Sequence, residues 1–99
     1  MLKQSDIVYI YMVNLEDSIN SVGLSESRIA HINSIETITV NGKEEGLYVL
    51  HTPDGKEWKI PTNSITFKIA PIDEVINNIK YSKMDEKTKE YWLQYINEF

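Results

Sequence analysis

Few residues in this chain could do nucleophilic or acid–base chemistry. The 99 residues include two histidines and no cysteine, and a side-chain nucleophile needs a base within hydrogen-bond reach. His51 stands three residues before Asp54 and forms the one local dyad to consider, but neither it nor His31 lies in a Gly-x-Ser-x-Gly or His-Glu-x-x-His motif. A solvent-facing hairpin position is the simpler interpretation of His51, so we expect a protein that is not an enzyme.

The sequence predicts no metal, nucleotide or other cofactor. Two distant histidines do not form a zinc ligand set, and Asp54-Gly55 follows Pro53 rather than the alternating oxygen ligands of an EF-hand loop. None of the four glycines belongs to a Gly-x-Gly-x-x-Gly motif or to a lysine-containing phosphate-binding loop. A nucleotide-dependent enzyme is therefore disfavoured.

The charge balance opposes direct binding to duplex DNA. Ten lysines and arginines stand against fifteen aspartates and glutamates, for a net charge of −5, whereas non-specific DNA binding depends on clustered basic side chains. No apolar run approaches the ~18 residues that a membrane span needs, and a chain without cysteine has no disulfide framework. We therefore expect a cytoplasmic protein that contacts neither duplex DNA nor a membrane.

Acidic residues occur as four adjacent pairs, Glu16-Asp17, Glu44-Glu45, Asp73-Glu74 and Asp85-Glu86. Three of these pairs fall in the first turn of a predicted helix, where carboxylates are favoured by the helix dipole. The alternative interpretation is a surface that mimics nucleic acid and occupies the basic groove of a nucleic-acid-handling protein.

Aromatic residues are concentrated at the C-terminal end, where residues 81–99 hold five of the ten: Tyr81, Tyr91, Trp92, Tyr95 and Phe99. At 100° per residue, those from Tyr91 onward and Ile96 share an arc of about 140° on one helix, with Leu93 outside it. We expect Trp92, Ile96 and Phe99 to pack on a sheet. Tyr91 and Tyr95 would then stay half exposed beside Lys87 and Glu98, as a candidate protein interface.

The first part of the chain predicts a strand and a short helix. Residues 6–13 are apolar on both alternating faces, which indicates a central strand covered on both sides. Asn14, Asp17 and Gly23 supply capping signals for a helix over residues 15–22. Residues 24–34 fit no single period, and one interpretation is that residues 25–32 form a helical turn that gives way to a strand.

Strands and turns dominate the middle of the chain. Residues 34–40 predict a strand, and Asn41-Gly42 predicts a turn that the polar residues 43–46 lengthen into a loop. The strand pair over residues 47–60 should turn at Pro53-Asp54-Gly55, with Gly55 at positive φ. A fifth strand follows over residues 65–70, with Ile65, Phe67 and Ile69 on one face and Thr66, Lys68 and Ala70 on a solvent-facing side.

Two helices are predicted to end the chain. Pro71 suits the first position of a helix with an apolar stripe, and Ser82 followed by Asp85 resembles the capping pattern of a last helix that runs nearly to Phe99. The whole of residues 1–99 then forms a single α+β domain. Its small curled antiparallel sheet of about five strands would be SH3-like or a half-barrel, with a short helix after strand 1 and two C-terminal helices.

One short stretch resembles a known family. Residues 11–16, Tyr-Met-Val-Asn-Leu-Glu, together with Ile19, are similar to the strand-to-turn segment of LytTR-type DNA-binding domains. That family usually carries His-Arg-Ser just before this segment, whereas Val8, Tyr9 and Ile10 stand here. The resemblance implies DNA contact only where the basic positions are present.

These observations favour a non-enzymatic protein-interaction module, of the kind that phages and mobile elements use to bind and block a host factor. The candidate contact residues are Tyr91, Tyr95, Glu16, Asp17, Glu44, Glu45, Tyr48 and Trp58. The expected partner is another protein, such as a nucleic-acid-binding host factor, with homodimer formation as a further option. The alternative is a regulatory module that binds nucleic acid or a small ligand on the curled sheet, through Tyr48, His51 and Trp58.

Overall fold

The computed structural model describes residues 2–13 and 25–99. One antiparallel sheet contains five strands in the order β4-β3-β2-β1-β5. The strands are β1 (Ile7–Met12), β2 (Ile29–Val40), β3 (Lys43–His51), β4 (Glu57–Pro61) and β5 (Phe67–Pro71), and the helices α1 (Ile72–Lys80) and α2 (Glu86–Glu98) follow them. The α+β class and the two C-terminal helices are confirmed. The helix predicted for residues 15–22 lies outside the described residues.

The central strand β1 contributes to two hydrophobic clusters because its alternating side chains point to opposite faces of the sheet. It pairs with β2 on one side and β5 on the other. The helix-side cluster comprises Tyr9, Ile29, Ala70, Val75, Ile79, Met84, Trp92 and Ile96. The concave cluster, on the other face, comprises Val8, Ile10, Ala30, Ile32, Leu50 and Ile60. The prediction of a strand covered on both sides is confirmed.

The sheet curls around the concave cluster without closing. Trp58 of edge strand β4 meets Phe67 of edge strand β5 edge to face, with ring centroids 6.1 Å apart. Both rings pack against the concave cluster, which explains how a sheet face that carries no helix in the described part of the chain buries its apolar residues. The SH3-like placement stays a prediction.

The β2–β3 hairpin is longer than the sequence predicts. Asn41 and Gly42 both have positive φ, 52° and 78°, the combination that suits a two-residue turn between right-twisted strands. Pairing therefore begins at once, with Val40 opposite Lys43 and Thr37 opposite Gly46. The predicted loop over residues 43–46 is wrong, because turn geometry rather than side-chain polarity decides where the ladder starts.

The ambiguous segment before this hairpin contains a helical turn followed by a strand, but the turn is shorter than the predicted residues 25–32. Glu26–Arg28 forms a single 3-10 turn, and β2 begins at Ile29. The register of β2 against β3 shifts between Ile32 and Ser34. This extra residue breaks the strand alternation between Ile32 and Ile35, whereas Ile29 and Ile32 lie on opposite faces of the sheet.

Two predicted boundaries are wrong near the C-terminal end. The Ser64 hydroxyl accepts hydrogen bonds from the N–H groups of Thr66 and Phe67, at 3.2 and 3.1 Å. Ile65 therefore lies in a turn, where it is 87% exposed. Strand β5 starts at Phe67, two residues later than predicted. Ser82 does not cap α2, because its hydroxyl donates to the carbonyl of Ile79 at 2.7 Å. Asp85 is the N-cap residue instead.

The turn at Pro53-Asp54-Gly55 is confirmed, with Gly55 at φ 84°. A Cβ atom at this position would meet nothing within 4 Å, so only backbone strain opposes a substitution. We expect Gly55→Val to lower the free energy of unfolding by about 1–3 kcal/mol, measured by urea denaturation. Gly55→Asn is the control and should recover most of this loss, because asparagine tolerates positive φ. Equal stability of Gly55→Val and the wild type would contradict the assignment.

Candidate functional site

Helix α2 presents one buried and one exposed face, as the sequence predicts. Trp92 is 9% and Ile96 4% exposed, and Phe99 is partly buried against the helix-side cluster. Tyr91 is 52% exposed, and Tyr95 is half-buried. The predicted orientation of the helix is confirmed. Leu93, expected outside the apolar arc, also packs partly against the cluster.

Tyr91 and Tyr95, called here the tyrosine strip, are held by the buried part of the helix. The Trp92 ring lies edge to face with both, at centroid distances of 5.3 Å to Tyr91 and 6.0 Å to Tyr95. The Tyr95 hydroxyl donates to the Glu26 carbonyl at 3.5 Å. Burial raises the pKa of Tyr95, and the nearby Glu26 carboxylate raises it further. The strip therefore offers aromatic surface that the Trp92 ring holds in place.

A cleft lies between the end of α2 and the β3–β4 turn. Its volume is about 460 Å³, and we call it the C-terminal cleft; its lining residues are His31, Thr52, Pro53, Tyr95, Glu98 and Phe99. A smaller cavity of about 200 Å³ on the same helix shares Tyr95 and Glu98 with the cleft and adds Tyr91 and Gln94. The tyrosine strip and the cleft thus form one continuous surface.

His31 lines this cleft and contacts His51, but the dyad that the sequence predicts is absent from the described structure. His51 lies opposite His31 in the β2–β3 register, and their rings are edge to face at 5.7 Å. His51 Nε2 is 3.3 Å from Glu57 Oε1, its cross-strand neighbour in β4. The predicted His51–Asp54 pair is not formed, because strand pairing places residue 57 rather than residue 54 beside residue 51.

Asp54 instead stabilises the β3–β4 turn. It accepts hydrogen bonds from the Thr52 hydroxyl and from the Lys56 N–H, the latter at 3.2 Å. The Thr52 hydroxyl is the main cause that lowers the pKa of Asp54. Trp58 Nε1 donates to the same Thr52 hydroxyl at 3.3 Å. The role of Asp54 in the described structure is therefore to hold the turn that forms one wall of the cleft.

The hairpin surface proposed from Tyr48, His51 and Trp58 is split between two faces. Tyr48 and Trp58 pack against the concave cluster. The His51 ring instead contacts the ring of His31, which lines the cleft. Paired residues in antiparallel strands share a face of the sheet, and consecutive residues of one strand point to opposite faces. Trp58 pairs with Leu50 and shares its face. His51 follows Leu50 in the chain and therefore points to the other face. The three side chains do not form a common ligand surface.

The described acidic pairs lie on one strand and at the starts of the two helices. Glu44 and Glu45 are consecutive residues of β3 and so point to opposite faces. Asp73, Glu74 and Glu86 lie in first turns of helices, as the helix dipole favours. Glu16 and Asp17 lie outside the described residues. Beside the tyrosine strip, Glu98 is exposed on α2 and lines a cavity with Tyr91 and Tyr95.

His31, Pro53 and Phe99 join the site only through the tertiary structure. They come from β2, the β3–β4 turn and the end of the described chain, and no spacing in the sequence relates them. Within residues 2–13 and 25–99, no group of three or more histidine, aspartate or glutamate side chains could hold a metal ion. Among the helices of that same part of the chain, none is long and apolar enough to cross a membrane.

The net charge of −5 predicts that the protein does not bind duplex DNA. At about 150 mM salt, where the Debye length is near 8 Å, we expect no shift in a mobility assay with micromolar protein. A basic DNA-binding domain serves as the positive control. Sub-micromolar binding would contradict this expectation and would support the implication of the LytTR-like stretch.

In comparisons with known proteins, no family model, no curated protein and no solved structure matches this chain.

Proposed function

We propose that the protein is a non-enzymatic interaction module that binds another protein through the tyrosine strip and the C-terminal cleft. The observation that carries this proposal is the tyrosine strip itself, an exposed aromatic edge on a helix whose other face is packed in the core. Tyrosine side chains contribute large contact areas at low entropic cost and are enriched among residues that dominate binding energy.

The charge of the module favours a basic partner. The net charge is −5, and the exposed Glu98 lines a cavity together with both tyrosines of the strip. Complementary charge speeds association and suppresses incorrect partners. A nucleic-acid-handling host protein has such a basic surface, and a module that covers its groove would block it. This inhibitory role, in a phage or mobile-element setting and in the cytoplasm, is part of the proposal.

Paired variants test the role of the strip. We expect the double variant Tyr91→Ala/Tyr95→Ala to lose capture of the proteins that the wild type retains specifically from a host lysate, measured by quantitative mass spectrometry. Removal of two central tyrosines should weaken binding by about 2 kcal/mol or more. Tyr81→Ala is the matched control, because Tyr81 is 88% exposed outside both helices and should leave capture unchanged.

Folding and self-association are measured on the same variants. Thermal melts should show that both variants remain folded, because neither substitution removes a fully buried side chain. Light scattering measures whether the chain forms a dimer in solution. A dimer would indicate that the partner is a second copy of this chain rather than a different protein. Equal capture of the same proteins by the double variant and the wild type would refute the strip as the docking surface.

A further inference from the structure

We propose that the C-terminal cleft binds the side chain of an arginine that the partner protein presents. This inference rests on the proposed function and names the chemistry of one contact within it. The cleft is a concave site built by three separate parts of the chain, and its volume of about 460 Å³ lies within the range of specific ligand sites, roughly 300–1,000 Å³. It can therefore hold one long side chain and part of the residues beside it.

Three rings supply the walls of the cleft. The Phe99 ring lies between those of His31 and Tyr95, at centroid distances of 6.3 and 6.1 Å. The ring planes meet at 57° and 66°, so the rings are inclined to each other rather than stacked in parallel. Aromatic rings attract a cation that lies within about 6 Å of a ring centre. The half-buried rings of Tyr95 and Phe99 thus offer an apolar wall that also favours positive charge, and the exposed His31 ring lies beside Phe99.

A carboxylate supplies the charge that selects a cation. Glu98 is the one acidic residue of the lining, which contains no lysine or arginine. Gln94 Nε2 donates to Glu98 Oε1 at 3.2 Å from one turn earlier in α2, which helps to orient the carboxylate. A second carboxylate, Glu57, lies behind the histidine pair and contacts His51 at 3.3 Å. Glu98 carries the one formal charge among the lining side chains, which favours a cationic ligand over an anionic one.

The combination of rings and a carboxylate favours arginine over lysine. A guanidinium group is planar, stacks on aromatic rings and can form two parallel hydrogen bonds to one carboxylate, and it is less strongly hydrated than an ammonium group. Lysine could satisfy the charge but not the stacking. The site is therefore predicted to discriminate between the two cations as well as against a neutral side chain.

Short capped peptides test the cleft without the partner. The peptide acetyl-Gly-Arg-Gly-amide is titrated into the full chain and followed by NMR, beside peptides with lysine or citrulline in place of arginine. Citrulline keeps the shape of arginine but lacks its charge. We expect the arginine peptide to shift the His31, Tyr95 and Phe99 resonances with a Kd in the millimolar range, the lysine peptide to bind more weakly, and the citrulline peptide to cause no saturable shift.

A matched pair of charge variants completes the test. Glu98→Gln should weaken binding of the arginine peptide about three- to fivefold, as expected for a partly exposed ion pair, whereas Glu90→Gln, an exposed glutamate of the same helix outside the lining, should not. Equal binding of the arginine and citrulline peptides, shifts confined to other surfaces, or no saturable binding up to about 20 mM would overturn the inference.

This result is distinguishable from failure of the proposed function. If the cleft binds no arginine but Tyr91→Ala/Tyr95→Ala still abolishes partner capture, the interaction module stands and the inference about its ligand fails. If capture survives the double variant, the proposed docking surface fails, while the peptide titration reports on the cleft independently of any partner.

Discussion

Trp92→Ala is expected to lower the free energy of unfolding by about 3–5 kcal/mol, the range typical of a large aromatic side chain removed from a core. Trp92 is 9% exposed and is the largest member of the helix-side cluster, where it contacts the rings of both strip tyrosines. Its loss leaves a cavity between α2 and the sheet. Urea denaturation followed by circular dichroism measures the change, and a fully unfolded variant is also consistent with the larger values.

Tyr91→Ala is the matched control for this prediction. The two residues are neighbours in α2, but Tyr91 is 52% exposed, so its removal should cost no more than about 1 kcal/mol. If Tyr91→Ala destabilised the protein more than Trp92→Ala, the assigned orientation of α2 would be wrong. The docking surface would then have to be sought on another element.

Leu50→Ala is expected to destabilise the protein by about 2–5 kcal/mol, although no helix of the described structure covers its face of the sheet. Leu50 is fully buried in the concave cluster, and the curl of the sheet, marked by the Trp58–Phe67 contact at 6.1 Å, shields it from water. The prediction distinguishes a true second core from an apolar patch that only a partner covers. Urea denaturation again supplies the measurement.

Ile65→Ala provides the contrast. Ile65 is also an aliphatic residue of the β region, but it is 87% exposed in the turn before β5, so its truncation should change stability by no more than about 0.5 kcal/mol. A loss of stability as large as that of Leu50→Ala would restore the strand over residues 65–70 that the alternating sequence predicts. A neutral Leu50→Ala would contradict the concave cluster.

Local patterns predicted those elements whose side chains follow one period from end to end. Residues 7–12 are apolar on both faces and form the central strand. Helix α2 keeps its aromatic arc because its apolar residues from Tyr91 onward follow a 3.6-residue period, with Trp92 buried and Tyr91 exposed at the edge of the arc. For these elements the burial of apolar side chains alone determines the orientation.

The same patterns failed where a turn and its local hydrogen bonds determine the path of the backbone. Residues 43–46 are polar and still extend a strand, because the positive φ angles of Asn41 and Gly42 align the two chains for pairing. Ile65 continues an alternating pattern but lies in a turn that the Ser64 hydroxyl stabilises. In both places the hydrogen bonds, rather than the hydrophobicity of the side chains, decide the structure.

The sequence by itself determined the class of the fold, the acidic charge and the outward position of the tyrosine strip, because composition and helical periodicity are local properties. Only the tertiary structure decided that His31, Pro53 and Phe99 meet Tyr95 and Glu98 in one cleft, and that His51 contacts Glu57 rather than Asp54. Those contacts depend on strand register and on where α2 crosses the sheet. Register and helix placement result from packing across the whole domain, which no short segment of the sequence records.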